Sequence, residues 1–384
     1  MWILYQREFF FKHLKSACVR YQHSYPKDHL KVLRAAYLVE GKFASESQLA
    51  EDLAKNVVYN DPTKDRSGLI ALNKQAGVGL KSIPEEGTIG IEDALPTLAE
   101  ILKVRKLIVV KSVQKYSSGI VLLSSKDQGK IQVDRSLNRS RLRMSFRETY
   151  FALTNGFPRK NSINEVVDMQ MERIRDLKSP LTNEPLQEPV INRILFSRSM
   201  LNKKKNDICR VGVDAKVISK SQNGHCSLLR IEPFVTQWNF VRVYCADLLS
   251  PVIGDHLFSY RAKMLMGKMI RVSPQHSPDP NAKQQNLPLW LLNQIGLRQG
   301  QEHELPLHLH LGRMYLPGYF GANKNLIIHA RPRPYFQGTA EMLGIEIPDD
   351  LAEDNEERQY ILVRRLNKQS SSKPEVNIIE SSQF

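Results

Sequence analysis

Apolar positions along the chain follow two rhythms, one helical and one of strands. Residues 28–60 carry them at helical spacing, which predicts amphipathic helices. Within that stretch Ser45 and Gln48 have the spacing of a capping box ahead of Leu49-Ala50-Glu51-Asp52-Leu53. Asn60-Asp61-Pro62 breaks the pattern. Leu69 to Asn73 reads as a strand running into a turn at Gly77 and Gly79, and Ala94 to Val104 is apolar at helical spacing. The unbroken apolar runs Leu107–Val110 and Ile120–Leu123 predict buried strands. Gln128 to Phe146 reads as a helix that grows basic towards its end, and Tyr150 to Thr154 as a strand. Residues 155–208 are polar and weakly patterned. Beyond Arg210 the pattern predicts strands at Val211–Val217, Cys226–Ile231, Phe240–Leu249 and Leu305–Leu316. Residues 271–300, rich in Pro and Gln, predict a surface insertion, and the acidic, then Ser-rich end from Asp349 predicts disorder. Helices and strands mix without βαβ regularity, so the expected class is α+β. The expected organisation is a helical extension at 28–64, a main domain at 65–345 and a tail at 346–384.

Composition narrows the partners. The 384 residues are 41 % apolar and 25 % charged, ordinary for a globular protein, and no run approaches the roughly 18 apolar residues of a membrane span. The net charge of +15 points to a polyanionic partner, nucleic acid first. Cys18, Cys209, Cys226 and Cys245 are scattered, which argues against a zinc ribbon or a disulfide scaffold. Residues 1–27 interleave Arg7, Lys12, Lys15, Arg20 and Lys27 with bulky apolar residues against the single acid Glu8. That is the composition of a mitochondrial presequence.

Four short patterns then occur in order. They are Leu72-Asn73-Lys74-Gln75-Ala76-Gly77-Val78; Val110-Lys111-Ser112-Val113-Gln114 continuing through Ser117-Ser118-Gly119-Ile120-Val121-Leu122-Leu123; Thr149-Tyr150-Phe151-Ala152-Leu153; and Phe240-Val241-Arg242-Val243-Tyr244 with Pro251-Val252-Ile253-Gly254-Asp255. Together they resemble the RluA family of RNA pseudouridine synthases over about residues 66–335. The likeness is greatest to its animal mitochondrial members, through the Ser-Ser-Gly stretch, Gly254-Asp255-His256 and Leu305–Leu311. The resemblance implies a mixed, mainly antiparallel sheet flanked by helices. It also implies isomerase chemistry on uridine in RNA, no cofactor, and a place in the mitochondrial matrix.

Residue by residue, the resemblance is uneven. The family's catalytic aspartate aligns with Gln114, and its neighbouring His and Arg with Lys111 and Ser112. An amide has no proton to exchange near neutral pH and is a poor nucleophile, so Gln114 is expected not to perform the chemistry. Tyr150 matches the tyrosine that stacks on the target base. Arg242 matches the arginine that pairs with the aspartate; beside an amide, its charge is available to another acid or to a phosphate. The family's Arg and His upstream are replaced around Gln237 and Asn239. No other acid is expected at the strand edge; Asp127 and Asp134 fall too far along.

Arg135, Arg139, Arg141, Arg143 and Arg147 crowd the helix leading to Tyr150, and Lys203-Lys204-Lys205 adds a second basic cluster. These residues and Lys111 are the expected RNA contacts, strong, salt-sensitive and weakly sequence-selective. His308 and His310 share a strand face, but no further ligand has suitable spacing, so they are read as structural and no metal is expected. The overall expectation is an RNA-binding protein with a degenerate synthase domain. It would work on mitochondrial messenger or ribosomal RNA among processing or ribosome-assembly proteins. The alternative is an active synthase.

Overall fold

A computed structural model of the chain describes residues 27–61, 65, 67–83, 87–143, 145–173, 190–195, 208–266, 268–272, 285–321 and 324–348. The proposed presequence, the Lys203–Lys205 cluster and most of the tail lie outside them. Helix α1 (Lys27–Val39) is followed by α2 (Glu46–Lys55). Here Ser45 Oγ accepts from the Gln48 amide at 3.2 Å, and Gln48 Oε1 accepts from the Ala44 amide at 2.8 Å. The capping spacing thus starts α2 as the sequence predicts. Next come β1 (Val57–Asn60), β2 (Leu69–Lys74), α3 (Ile91–Ile101), β3 (Ile108–Lys111), β4 (Ser118–Ser124), α4 (Asp127–Leu142) and β5 (Glu148–Asn155). Three long or paired strands follow, β6 (Ser162–Arg173), β7 (Val190–Leu195) and β8 (Ile208–Lys220), then β9 (Cys226–Pro233) and α5 (Phe240–Asp247). The remainder comprises a hairpin of β10 (Ala262–Leu265) and β11 (Lys268–Arg271), α6 (Leu289–Gln294), β12 (Leu309–Leu316), β13 (Leu326–His329) and α7 (Pro334–Met342).

The main sheet runs β1-β2-β4-β12-β5-β9-β8-β6-β7, with β3 on β4 and β13 on β12. Every pair is antiparallel except β12 with β4. The α+β class and the mainly antiparallel sheet are as expected. Both faces of its centre are covered, which explains the unbroken apolar runs. Leu69, Ala71, Ile120, Leu122, Tyr150 and Ala152 point to one core, under α4 and α5. Ile70, Leu72, Val121 and Leu123 point to a second, under α2 and α3; Phe151 and Leu153 join a third, with α1, α6 and α7. Alternation by two survives as a choice between two interiors rather than between core and water.

Three sequence expectations need correction. Within Phe240–Leu249 the chain forms helix α5, Phe240–Asp247, not a strand. The weakly patterned stretch 155–208 contains β6 and β7. The region 271–300 is not all surface, because Leu287, Leu291, Leu292, Ile295 and Leu297 are buried against α1 and α7.

Candidate active-site cleft

Central strand β12 assembles the site by register. Its Leu311 lies opposite Gly119 of β4 on one side and Tyr150 of β5 on the other. Gly119 has φ +119°, and a Cβ there would fall onto the Leu311 carbonyl. Only glycine allows the close parallel pairing that brings the preceding loop, residues 112–117, beside β5. Gly254 is held similarly, at φ +79°, with the space for a Cβ taken by the Pro306 carbonyl.

The 112–117 loop is fixed from behind by Lys74. Five carbonyl oxygens ring its fully buried ammonium and share its three N–H donors: Gln75 at 3.0 Å, Val78 at 2.9 Å, Gln114 at 3.3 Å, Lys115 at 3.1 Å and Ser117 at 2.7 Å. Burial pushes its pKa down to about 7, with Glu40 acting the other way. Gln75, which departs from the family pattern, accepts from the Gly41 amide at 2.8 Å, while Glu40 accepts from the Ala76 amide at 3.0 Å. The α1–α2 connection is thereby tied to the turn that holds the loop.

The resulting cleft, a small cavity of about 60 Å³ open to solvent, brings together Lys111, Ser112, Gln114, Glu148, Tyr150, Asn239 and Arg242. Three residues from separate motifs therefore meet, as the alignment anticipates: Gln114, Tyr150 and Arg242. Gln114 is exposed at the loop. Arg242 is buried, and its Nε donates to Asp255 Oδ2 at 3.2 Å while Nη2 reaches Oδ1. Its guanidinium also lies 4.9 Å from the Phe258 ring centre. Of the two partners open to this cation, the other acid is the one present, and it comes from the Pro251–Asp255 motif itself. A bidentate, desolvated pair of this kind is rigid and strong.

Glu148 was not anticipated. It is 2 % exposed, in a run read only for its arginines. It sits 2.9 Å from Lys111 Nζ and 3.6 Å from Arg147 Nε, and it accepts from the Tyr150 hydroxyl at 2.8 Å. Burial pushes its carboxyl pKa up, but the cations outweigh this and hold it below the ordinary value. Burial, then the Glu148 charge, push the Tyr150 hydroxyl well above its usual value, so it stays protonated. An acid within a basic run, two residues before the aromatic, was the available signal.

The basic residues divide. Helix α4 ends at Leu142, so Arg147 lies beyond it and is buried against Glu148. Arg135, Arg139, Arg141 and Arg143 are exposed, although Arg139 also donates to the Gly318 carbonyl at 2.5 Å. Lys111 is half-buried in its pair with Glu148. His308 and His310 are buried: His308 Nε2 lies 2.8 Å from Thr339 Oγ1, and His310 bridges Ser118 Oγ at 2.9 Å and the Ala330 carbonyl at 2.9 Å.

No family model matches the chain. It is 28 % identical over 309 residues to human mitochondrial mRNA pseudouridine synthase RPUSD3, covering 80 % of this chain and 81 % of that one. The mouse counterpart is 28 % identical over 308 residues, covering 79 % and 83 %. Zebrafish (Danio rerio) mitochondrial pseudouridylate synthase RPUSD4 is 24 % identical over 314 residues, covering 79 % and 77 %. Among solved structures, human RNA Pseudouridylate Synthase Domain Containing 4 superposes with a TM-score of 0.56 at 21 % identity, covering 79 % of this chain and 98 % of that one. That likeness speaks for the fold. By sequence the chain is similar to mitochondrial pseudouridine synthases, and it shares the fold of a solved one.

Proposed function

We propose that this protein binds RNA in the mitochondrial matrix through a synthase cleft that no longer isomerises uridine on its own. It would serve mitochondrial messenger or ribosomal RNA maturation, ribosome assembly or translation. The observation that carries the reading is Gln114, a neutral amide on the loop where the family's carboxylate is expected. The arginine expected to pair with that carboxylate is bonded to Asp255 instead. The cleft keeps an aromatic wall in Tyr150, and α4 adds exposed arginines, which suit base stacking and phosphate contact.

A second reading, an active synthase, is favoured by one feature: Glu148 places a deprotonated carboxylate in the cleft wall. It is pinned by Lys111 and Tyr150 and nearly inaccessible, which weighs against attack on a sugar or base. The deciding experiment incubates the purified chain with mitochondrial transcripts and maps pseudouridine at single-base resolution. The proposal expects none above background. Modification by the wild type that is abolished in Glu148→Gln would establish the second reading.

A further inference from the structure

The β10–β11 hairpin stands out from the rest of the surface. Its register runs out to the pair Leu265 and Lys268, with Met266 at the tip. Both strand faces carry exposed side chains: Met264 is 55 %, Leu265 52 % and Met266 96 % exposed, with Lys263, Lys268 and Ile270 also open to solvent. A two-stranded ribbon exposed on both faces is marginal by itself. Its apolar tip leaves a hydrophobic surface that no described residue covers.

The turn adds a second observation. Met266 has φ +47°, in the left-handed region where hairpin turns favour Asn or Gly. An unbranched apolar side chain held in strained backbone at the most exposed point of a hairpin is costly for stability, which points to a use. Charge indicates the occupant. From His256 to Pro278 the sequence holds Arg261, Lys263, Lys268 and Arg271 and no acid. Arg271 anchors the ribbon base, its Nε donating to the Asp247 carbonyl at 2.7 Å, and Arg261 lies 4.9 Å from the Phe258 ring centre. That leaves Lys263 and Lys268 flanking the tip. Phe258 also carries the Arg242 guanidinium, so the hairpin springs from the second layer of the cleft wall.

We infer that the β10–β11 hairpin is an RNA wedge: Leu265 and Met266 pack against unstacked bases next to the nucleotide in the cleft, and Lys263 and Lys268 hold the flanking phosphates. Apolar residues that part bases, with cations on the backbone either side, are the chemistry such a tip offers. The inference rests on the RNA-binding reading but names a surface that reading does not require.

The test uses the full chain and a fluorescent single-stranded oligouridylate, titrated at several salt concentrations. Met266→Asn places the preferred residue in the turn. It should melt at the same or higher temperature than wild type while binding roughly tenfold more weakly, the loss expected for a stacking contact. Lys263→Ala with Lys268→Ala should lower the slope of log affinity against log salt by about 1.4, two phosphates at about 0.7 each. Wild-type affinity and salt slope in both variants would overturn the inference. If the α4 variant Arg135→Ala/Arg141→Ala/Arg143→Ala meanwhile weakens binding, the RNA-binding reading survives without it. Hairpin-dependent binding to anionic vesicles with hairpin-independent RNA binding would also overturn it, as would a wild type that binds no RNA, which removes both.

Discussion

The two sides of the loop at residues 112–117 contrast sharply. Behind it, Lys74 gathers five carbonyls, Gly119 admits the β12 backbone and His310 fixes Ser118, all of them buried. In front of it, lining the cleft, stand Lys111, Ser112 and Gln114, where the resemblance in sequence implies His, Arg and Asp. The rear side is what any cleft of this shape needs, since unpaired buried carbonyls and a clashing Cβ are penalised whatever the cleft does. The front side is constrained only by chemistry. On the proposed function, a chain that keeps the first set and changes the second keeps the shape of a base-binding cleft and alters its use.

The harshest way to break this contrast is at the buried ion pair. Asp255→Ala leaves the Arg242 guanidinium buried without a counter-charge and should cost about 3–5 kcal/mol in denaturant unfolding. If the loss stayed below about 1 kcal/mol, Arg242 would be a surface-like cation, available for phosphate after all.

Acid should act almost as strongly. Burial lowers His308 to about 3 and His310 to about 4, from an ordinary 6.5. The folded state therefore holds both rings neutral where the unfolded state begins to bind protons. Stability is full above about pH 6.5 and falls as pH drops towards the folded values, by roughly 4 kcal/mol at pH 5 for the two together. Unfolding free energies across this range check it. In His308→Asn and His310→Asn the readout is a flatter slope, whatever the absolute stability.

Lys74→Met tests the rear side directly. Water cannot readily reach carbonyls packed this closely, so losing the ammonium should cost about 2–3 kcal/mol. Faster amide exchange at Ser117 and Gly77 should accompany it.

The sequence made parts of this plain and hid others, for physical reasons. The capping pair Ser45–Gln48, strand β2 and the Ser118-Gly119 step were legible because local chemistry fixes them. Helix α5 was not, because Phe240 to Ala246 is buried all round and so shows no face by which to tell period 2 from 3.6. Strand β6 was hidden by polar residues suited to a partly exposed strand. In the cleft, the meeting of Gln114, Tyr150 and Arg242 was legible from motif order. The Arg242–Asp255 pair and Glu148 were not, because each depends on a side chain whose direction no spacing reveals.

The smallest expected effect bears most directly on the front side. Gln114 is exposed and its amide makes no hydrogen bond among the described residues, so Gln114→Asp should change stability by no more than about 0.5 kcal/mol. A free carboxylate would then stand on a loop still held by Lys74. On the proposed function, isomerisation needs more than that carboxylate: Arg242 is already committed to Asp255, and Lys111 and Ser112 stand where the resemblance implies His and Arg. The substituted protein should therefore form no pseudouridine in mapped mitochondrial transcripts while keeping wild-type RNA affinity to within about threefold, less than one lost phosphate contact. Activity appearing on this single change would mean that only one atom-level feature separates the cleft from a working synthase. The contrast between its two sides would then be far shallower than the proposed function requires.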